Sequence, residues 1–230
     1  MRIIFVRHGH PDYTLDCLTQ LGHLQAEAAA QRLKDEPISA IYTSSKGRAI
    51  ETAEHIAKAV GLPIKESFEF IREGSWGPLD PEDTLPHKGN PWMVCSDLVK
   101  EGRSMVRTDW QTTEPFRRSK MLEMEQRISA GMDSLLSEYG LDREGEYYRV
   151  REQNNSTIVM ASHAGASGMA LSHLFNIPFP LVIKSFSPNF TAITVVEFDG
   201  EQGDLTTPSF ELLNDARHIE GISTDVFFGN

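Results

Sequence analysis

The sequence predicts an α/β fold in which a mixed, mostly parallel sheet carries helices on both faces. Residues 3–6 and 158–161 form short, continuously apolar runs rich in β-branched side chains, which indicates strands buried on both faces. Apolar runs alternate with helical patterns in the first third of the chain, and hairpin-like strands come late. Together these observations predict a three-layer sandwich.

The first third of the chain contains three predicted strands and two predicted helices. The strands are predicted over residues 2–6, 38–42 and 64–70. Thr19 is a suitable N-cap for a helix that runs to about Leu33, because its hydroxyl can accept from a free backbone N–H. A second helix follows Ser44 and Ser45, with apolar residues at helical spacing, and a Gly-Leu-Pro run ends it.

Residues 74–114 interrupt this alternation. They contain several prolines and glycines, little periodicity, and all three tryptophans, Trp76, Trp92 and Trp110. A long irregular segment in a compact domain is usually functional or disordered, and tryptophans argue against disorder. We therefore predict a pocket-forming segment or a lid, within a single domain that spans residues 1–230.

The second half of the chain begins with a long predicted helix, residues 116–139. Its methionine-rich face is interpreted as core, whereas Glu123, Glu125 and Arg127 are interpreted as a solvated face. Residues 141–155 are polar and predict a loop. The remaining predicted elements are a strand at 158–161, a helix at 166–175, and strands at 192–198 and 209–213.

Composition restricts the classes of partner. The net charge of -11 opposes association with nucleic acid or an anionic membrane. Cys17 and Cys95 are far apart, which is typical of a reduced, cytoplasmic protein, and no apolar run has the length of a signal peptide or a membrane span. A homodimer, formed through a strand edge or the methionine-rich helix, is left open.

Two histidines follow predicted buried strands. His8 stands in Arg7-His8-Gly9 directly after residues 3–6, and His163 follows residues 158–161 with small residues behind it. Ligand sites gather beyond the carboxyl ends of such strands, so we expect both histidines to face the same crevice. A neutral imidazole can attack phosphorus, and an adjacent arginine both lowers its pKa and matches phosphate oxygens.

Two further residues suit phosphate chemistry. Arg48 lies in the first turn of the second helix, where a phosphate would meet free N–H groups, the helix dipole and the guanidinium together. Glu73 is the best-placed acid to protonate a leaving alkoxide. Each residue alone also has an ordinary interpretation: a hydrogen-bonded histidine, an exposed arginine, or for Glu73 an ion pair with Arg72 or Lys65.

Other readings of the same residues remain open. His8, His10 and Asp12 could ligate a metal, but no further ligand cluster of metal-like spacing appears, so no metal and no cofactor are expected. A site of this kind that hydrolyses phosphate esters would make the protein a phosphatase. The alternatives are a phosphate-binding regulatory module without turnover and a phosphomutase. The sequence shows no basic platform for substrate, which disfavours highly polyanionic substrates.

Four segments resemble the motifs of one known family, the histidine phosphatase superfamily. They are Arg7-His8-Gly9, residues 18–26 (LTQLGHLQA), residues 42–53 (YTSSKGRAIETA) and Ser162-His163-Ala164-Gly165. Their order and spacing agree with that family, and the similarity covers most of the chain outside residues 74–114. The resemblance implies the phosphoglycerate mutase-like fold.

The resemblance also implies the roles of the site residues. His8 would be the phosphorylated nucleophile, and Glu73 would protonate the leaving oxygen and later activate water, with no metal required. The implied phosphate-binding set is Arg7, His8, Arg48, His163 and Ala164. The implied activity is that of a phosphatase that takes a small phosphorylated substrate and releases inorganic phosphate.

The chain departs from the family pattern at two places. Many members carry an acidic residue and then a Trp-Asn pair after the nucleophile, where this chain has residues 10–14 (HPDYT). After Glu73 the common family pattern is reduced to Gly-Ser-Trp-Gly, and the distinctive segment of the mutases is missing. The missing mutase segment argues against a glycolytic mutase.

Overall fold

The computed structural model describes residues 1–222; residues 223–230 of the predicted domain lie outside the described part. The strands are β1 (Arg2–Arg7), β2 (Pro11–Asp12), β3 (Cys17–Leu18), β4 (Ile38–Ser44), β5 (Ile64–Phe68), β6 (Leu141–Glu144), β7 (Tyr147–Val150), β8 (Thr157–Ser162), β9 (Ile193–Glu197), β10 (Leu205–Thr206) and β11 (Ser209–Asp215). The helices are α1 (Gln20–Leu33), α2 (Gly47–Val60), α3 (Pro91–Lys100), α4 (Met121–Glu138), α5 (Ala164–Phe175) and α6 (Phe179–Ser185).

The central sheet has the strand order β11-β9-β1-β8-β4-β5. Strands β1, β8, β4 and β5 pair in parallel, whereas β9 is antiparallel to both of its neighbours. The mixed, mostly parallel sheet predicted from the sequence is therefore confirmed. Because β1, β4 and β8 are adjacent and parallel, their carboxyl ends meet at one edge, where ligand sites form in such sheets.

Each face of the sheet has its own apolar core, because successive side chains of a strand point to opposite faces. Ile3 and Phe5 of β1 pack with buried residues of α4 and α5. Ile4 and Val6 pack on the other face with buried residues of α1 and α2. Helices thus cover both faces, and the predicted three-layer sandwich is confirmed.

Single residues in the sequence predict the start of α1 and the end of α2 correctly. The Thr19 hydroxyl accepts from the N–H of Gly22 and caps α1, as its position before the helix predicted. Helix α2 ends at Gly61, whose φ of 73° is in the left-handed region that glycine adopts without strain.

The structure differs from the predicted secondary structure at three places, whereas a pocket-forming or lid role of residues 74–114 stays a prediction. Residues 141–155 contain the hairpin β6–β7, because Tyr148 and Val150 alternate with exposed polar residues and turn their side chains inward. Residues 74–114 contain α3, whose first turn is capped by the Asn90 side chain. The long helix α4 begins at Met121, since residues 116–118 form a separate 3-10 turn. Helix α6 was not predicted.

The methionine-rich face of α4 is core, as predicted. Met121, Met124 and Met132 are buried among the side chains beneath the sheet. Trp110 is buried in the same core, and the other two tryptophans pack against its edge. Because this face is covered within the chain, it is not available as a dimer surface.

Both cysteines are free thiols. Cys95 is buried, and burial raises the pKa of its thiol to about 12, which makes it a poor nucleophile. Cys17 is partly exposed in β3. Between residues 1 and 222, no helix combines the length and the apolar character needed to cross a membrane.

We predict that Leu136→Ala lowers the free energy of unfolding by about 2–5 kcal/mol, because it leaves a cavity in the core. Leu136 has 0% of its surface exposed, whereas Leu24 on α1 is 51% exposed. Leu24→Ala is the matched control and should change stability by about 0.5 kcal/mol or less. Urea unfolding of both variants checks this. Equal losses would contradict the assignment of the core.

Candidate active site

The two predicted histidines lie side by side at the carboxyl edge of the sheet. His8 follows β1 and His163 follows β8, and these strands are neighbours. The ring centroids are 5.1 Å apart, in an edge-to-face arrangement. Both side chains are buried. The structure thus brings together two residues that are separated by most of the chain.

The hydrogen bonds of His8 fix which ring nitrogen carries a lone pair. Nδ1 lies 2.7 Å from the carbonyl oxygen of Gly9. A carbonyl only accepts, so Nδ1 carries the proton and Nε2 carries the lone pair. The guanidinium of Arg48 donates from Nε to this Nε2 at 3.4 Å, which agrees with the same tautomer. His8 therefore presents an unprotonated Nε2 to the crevice.

The surroundings of His8 keep it neutral. Burial lowers the pKa of His8 well below its ordinary value, and the charges of Arg7 and then Arg48 lower it further. A neutral imidazole is the nucleophilic form. The hydroxyl of Thr52 accepts from the N–H of Gly9 at 3.1 Å and so fixes the backbone to which His8 is bonded.

His163 is held by a residue that the sequence analysis did not single out. The Ser44 hydroxyl at the end of β4 lies 2.8 Å from His163 Nε2 and also accepts from the backbone N–H of Lys46. The hydroxyl can donate to Nε2 while it accepts from Lys46, and in that arrangement the proton of His163 is on Nδ1. Within residues 1–222, this Nδ1 is buried without a hydrogen-bond partner.

The two predicted arginines border the same crevice. Arg7 donates to the carbonyl oxygen of Pro188 at 2.6 Å, and its guanidinium carbon lies 4.1 Å from the ring centre of Phe190. Burial lowers the pKa of Arg7. Arg48 lies in the first turn of α2, as predicted, and contacts the Asp16 carboxylate. Two guanidinium groups thus flank His8.

Asp16 is a site residue that sequence reasoning missed. Its carboxylate contacts Arg48 and accepts from the N–H of Gly47 at the start of α2. Its φ is 54°, a left-handed conformation that Asp tolerates better than most residues. A single aspartate in a turn carries no sequence signal for this contact, which orients Arg48.

Glu73 lies at the mouth of the crevice, with 22% of its side chain exposed. The hydroxyl of Ser162 donates to the carbonyl of Ile71 and ties this segment to β8. Glu73 Oε2 is 3.8 Å from His163 Nδ1. A Cβ at Gly165 would lie 2.5 Å from the Trp76 ring and 2.9 Å from Glu73 Oε1, so glycine lets both side chains lie against the start of α5.

The pKa of Glu73 is raised to about 7. Burial is the cause, because it disfavours the charged form, and it outweighs three positive charges that act in the opposite sense. Those charges belong to Arg48, Arg7 and Arg127. A carboxyl with this pKa can donate a proton near neutral pH and can also accept one. Neither ion pair considered for Glu73, with Arg72 or with Lys65, forms in the described chain, where Arg72 pairs with Glu69 instead.

Ala164 is the first residue of α5. The first N–H groups of a helix have no partner within the helix, and they favour an anion together with the helix dipole. Ala164 directly follows His163, so its N–H belongs to the same edge of the sheet. The five residues of the predicted phosphate-binding set therefore converge on one crevice.

The metal interpretation of His8, His10 and Asp12 does not fit the geometry. His10 Nδ1 lies 2.9 Å from the Thr19 hydroxyl, and the Asp12 carboxylate accepts from backbone N–H groups of its own turn. The described part of the chain contains no group of three or more His, Cys, Asp or Glu side chains arranged to hold a metal ion.

The crevice opens into a cavity of about 350 Å³. Arg48 and Glu73 line it together with two more basic residues, Lys46 and Arg72. A neighbouring cavity of about 330 Å³ adds Lys120 and Arg127. The expectation that the site lacks a basic platform is therefore wrong, because residues far apart in the sequence assemble it. The interpretation of Arg127 as part of a solvated face is also wrong, because its side chain is half-buried and lines this second cavity.

Two curated relatives are similar to this chain in sequence. Two relatives named probable phosphoglycerate mutase GpmB, from Yersinia enterocolitica (serotype O:8 / biotype 1B) and Yersinia pestis (strain Pestoides F), are 27% and 28% identical to this chain over 189 residues. Each alignment covers 77% of this chain and 76% of the relative.

Solved structures share the fold. A mutant of phosphoserine phosphatase from Entamoeba histolytica, in complex with phosphoserine, aligns with a TM-score of 0.62 and 20% identity, covering 95% of this chain and 98% of that chain. Mycobacterial glucosyl-3-phosphoglycerate phosphatase aligns with a TM-score of 0.61 and 20% identity, covering 93% and 98%.

A family model supplies the assignment. It describes the histidine phosphatase superfamily (branch 1), and it matches residues 3–210. That range includes both strand-end histidines, both arginines beside them and the carboxyl at the mouth of the crevice. With the fold, the shared edge of the sheet and this match in agreement, the chain belongs to the histidine phosphatase superfamily.

Proposed function

We propose that this protein is a metal-independent phosphatase that hydrolyses a small phosphomonoester through a phosphohistidine on His8. The observation that carries the proposal is the tautomer of His8. The bond from Nδ1 to the Gly9 carbonyl leaves the lone pair on Nε2, which borders the positive charge of Arg48. This is the arrangement that an imidazole needs to attack a phosphorus atom.

In the first step, the lone pair of His8 Nε2 forms a bond to phosphorus, and the bond from phosphorus to the ester oxygen breaks. Glu73 gives its proton to that oxygen, so the leaving group departs as a neutral alcohol. A pKa of about 7 keeps a large share of Glu73 protonated at neutral pH. The products of this step are the alcohol, phosphohistidine and the Glu73 carboxylate.

Charge on the transferring phosphoryl group is stabilised by donors that are already in place. Arg7 and Arg48 supply guanidinium N–H groups, and Ala164 supplies a backbone N–H at the start of α5. His163 Nδ1 lacks a partner in the described chain, and a phosphoryl oxygen beside His8 would give it one. Such preorganised donors account for much of the catalysis of phosphoryl transfer.

In the second step, the Glu73 carboxylate takes a proton from water, and the resulting hydroxide attacks phosphorus. The bond from phosphorus to Nε2 breaks, inorganic phosphate leaves, and His8 regains its lone pair. Glu73 ends protonated, ready for the next cycle. Because the Glu73 side chain is 22% exposed at the mouth of the crevice, solvent reaches the residue that activates water in this step.

The comparisons support a small phosphorylated substrate and also supply a second candidate function. Structural neighbours include two phosphatases, one of which holds phosphoserine, and this supports a small phosphorylated substrate. The relatives named probable phosphoglycerate mutase make a mutase the second candidate. Transfer of the phosphoryl group to a second alcohol, instead of water, would identify a mutase.

We predict that His8→Ala abolishes turnover of an aryl phosphate, with a loss of at least about 10⁴-fold, because the nucleophile is removed. His23→Ala is the matched control, since His23 on α1 lies outside the crevice and bonds to His55. Phosphate release under saturating 4-nitrophenyl phosphate checks both variants. Turnover that survives in His8→Ala, or phosphate binding without turnover in the unaltered protein, would contradict the proposal.

We predict that Glu73→Gln slows alkyl phosphates by about 10²–10⁴-fold and 4-nitrophenyl phosphate much less, because nitrophenolate leaves without a proton. The pH profile should change as well. The protonated form of Glu73 is lost as the pH rises through about 7, so kcat/KM of the unaltered enzyme for alkyl phosphates should fall there. This decline should be absent in Glu73→Gln. Equal losses for both substrates would rule out proton donation by Glu73.

We predict that activity persists in excess EDTA, because every group in the proposed mechanism is a side chain or a backbone N–H. Phosphate release is measured before and after dialysis against the chelator. A loss of activity that is restored by a divalent metal would overturn the mechanism.

A further inference from the structure

A basic groove leads away from Glu73. The cavity that contains Arg48 and Glu73 and the neighbouring cavity along α4 share Arg72, Gly74 and Ser75 as lining residues. The two cavities have volumes of about 350 Å³ and 330 Å³. Arg72, Gly74 and Ser75 thus border a groove that has Arg48 and Glu73 at one end and Arg127 on α4 at the other.

Arg127 is a half-buried cation that forms an ion pair with no carboxylate of residues 1–222. Its Nη2 donates to the carbonyl oxygen of Arg72 at 2.8 Å, and its Nε is buried without a hydrogen-bond partner in residues 1–222. No carboxylate of the described chain lies within 4.0 Å of the Arg127 guanidinium, the limit for an ion pair, although Glu123 lines the same cavity. A partly desolvated, unpaired charge is costly, so an anion from outside would be stabilised here.

A second arginine lines the same cavity. Arg127 donates to the backbone carbonyl of Arg72, and burial first, and then the charge of Arg72, lowers the pKa of Arg127. The only carboxylate paired with Arg72 belongs to the exposed Glu69, at 3.1 Å, among residues 1–222. Neighbouring guanidinium groups of this kind are a common means of binding a carboxylate or phosphate by paired N–H donors.

The backbone between Glu73 and Arg127 leaves the path open. A Cβ at Gly74 would lie 2.8 Å from Met124 Sδ and 3.5 Å from Arg127 Nη2. Glycine therefore allows this segment to lie against α4 with the guanidinium exposed to the cavity. A side chain at this position would occupy the space between the carboxyl and the arginine.

We propose that Arg72 and Arg127 bind a second anionic group, a carboxylate or a phosphate, on the leaving alcohol of the substrate. The inference rests on the proposed function, since it takes Glu73 as the group that protonates the leaving oxygen. Because Glu73 stands at the entrance of the groove, the alcohol must leave along it. The substrate class is thus a phosphomonoester whose alcohol carries a negative charge.

Three substrates of nearly equal shape test the proposal: 3-carboxyphenyl, 3-phosphonophenyl and 3-carbamoylphenyl phosphate. The carbamoyl compound is the neutral control. For the unaltered enzyme we expect kcat/KM to be about 10-fold or more higher for at least one anionic substrate than for the neutral one, in line with charged hydrogen bonds. The anion with the larger ratio identifies the group that the site takes.

Variants of the two arginines then test which residues cause the preference for an anionic substrate. Arg127→Gln should bring the anionic-to-neutral ratio close to one, and Arg127→Lys should retain part of it. Arg72→Gln is a second variant that should lower the ratio if Arg127→Gln does not fold. Arg117→Gln is the matched control, because Arg117 is exposed, pairs with Glu114 and lies outside both cavities. It should leave the ratio and the activity unchanged.

The outcomes separate the inference from the function on which it rests. Hydrolysis of all three substrates with a ratio near one in the unaltered enzyme overturns the anionic subsite and leaves the phosphatase standing. A ratio that persists in both Arg127→Gln and Arg72→Gln also overturns it. If none of the three substrates is hydrolysed, the proposed function fails and the inference fails with it.

Discussion

The hydrogen bond from His8 Nδ1 to the Gly9 carbonyl is the interaction on which the rest of the site depends. It decides that the lone pair of the imidazole lies on Nε2, next to Arg48 and to the ring of His163. The sheet makes this bond possible, because β1 ends one residue earlier and its parallel pairing with β8 places both histidines at one edge. Burial and the neighbouring guanidinium groups then keep the ring neutral.

Glu73 shows how one carboxyl can serve two opposite proton transfers. Burial raises its pKa, whereas the charges of Arg48, Arg7 and Arg127 lower it, and the balance lies at about 7. A strongly paired carboxyl would have a low pKa and would already be ionised at neutral pH, so it would have no proton to give in the first step. An isolated buried carboxyl would stay protonated and could not accept a proton in the second. The arginines therefore have two effects, since they bind anions and they set the proton affinity of Glu73.

The sequence was sufficient to predict the sheet, its helical layers and the approach of Arg7, Arg48 and His163 to His8, because each of these depends on a local pattern. Apolar runs end before His8 and His163, and the helical spacing of apolar residues after Ser45 places Arg48 in the first turn of a helix. The hairpin β6–β7 escaped prediction because its inward residues, such as Tyr148, sit among charged ones. The contact of Asp16 with Arg48 and the hydrogen bond from Arg127 to the Arg72 carbonyl both join distant segments of the chain. No local pattern predicts such contacts.

The most direct test of the account is to trap the covalent intermediate. Glu73→Gln protein is mixed with a 32P-labelled aryl phosphate, quenched in alkali within milliseconds to seconds, and digested for mass spectrometry. Because this variant lacks the base for the second step, we expect an alkali-stable, acid-labile phosphoryl group on the peptide that contains His8. Label on another residue, an acid-stable label, or turnover without any labelled protein would contradict the phosphohistidine mechanism.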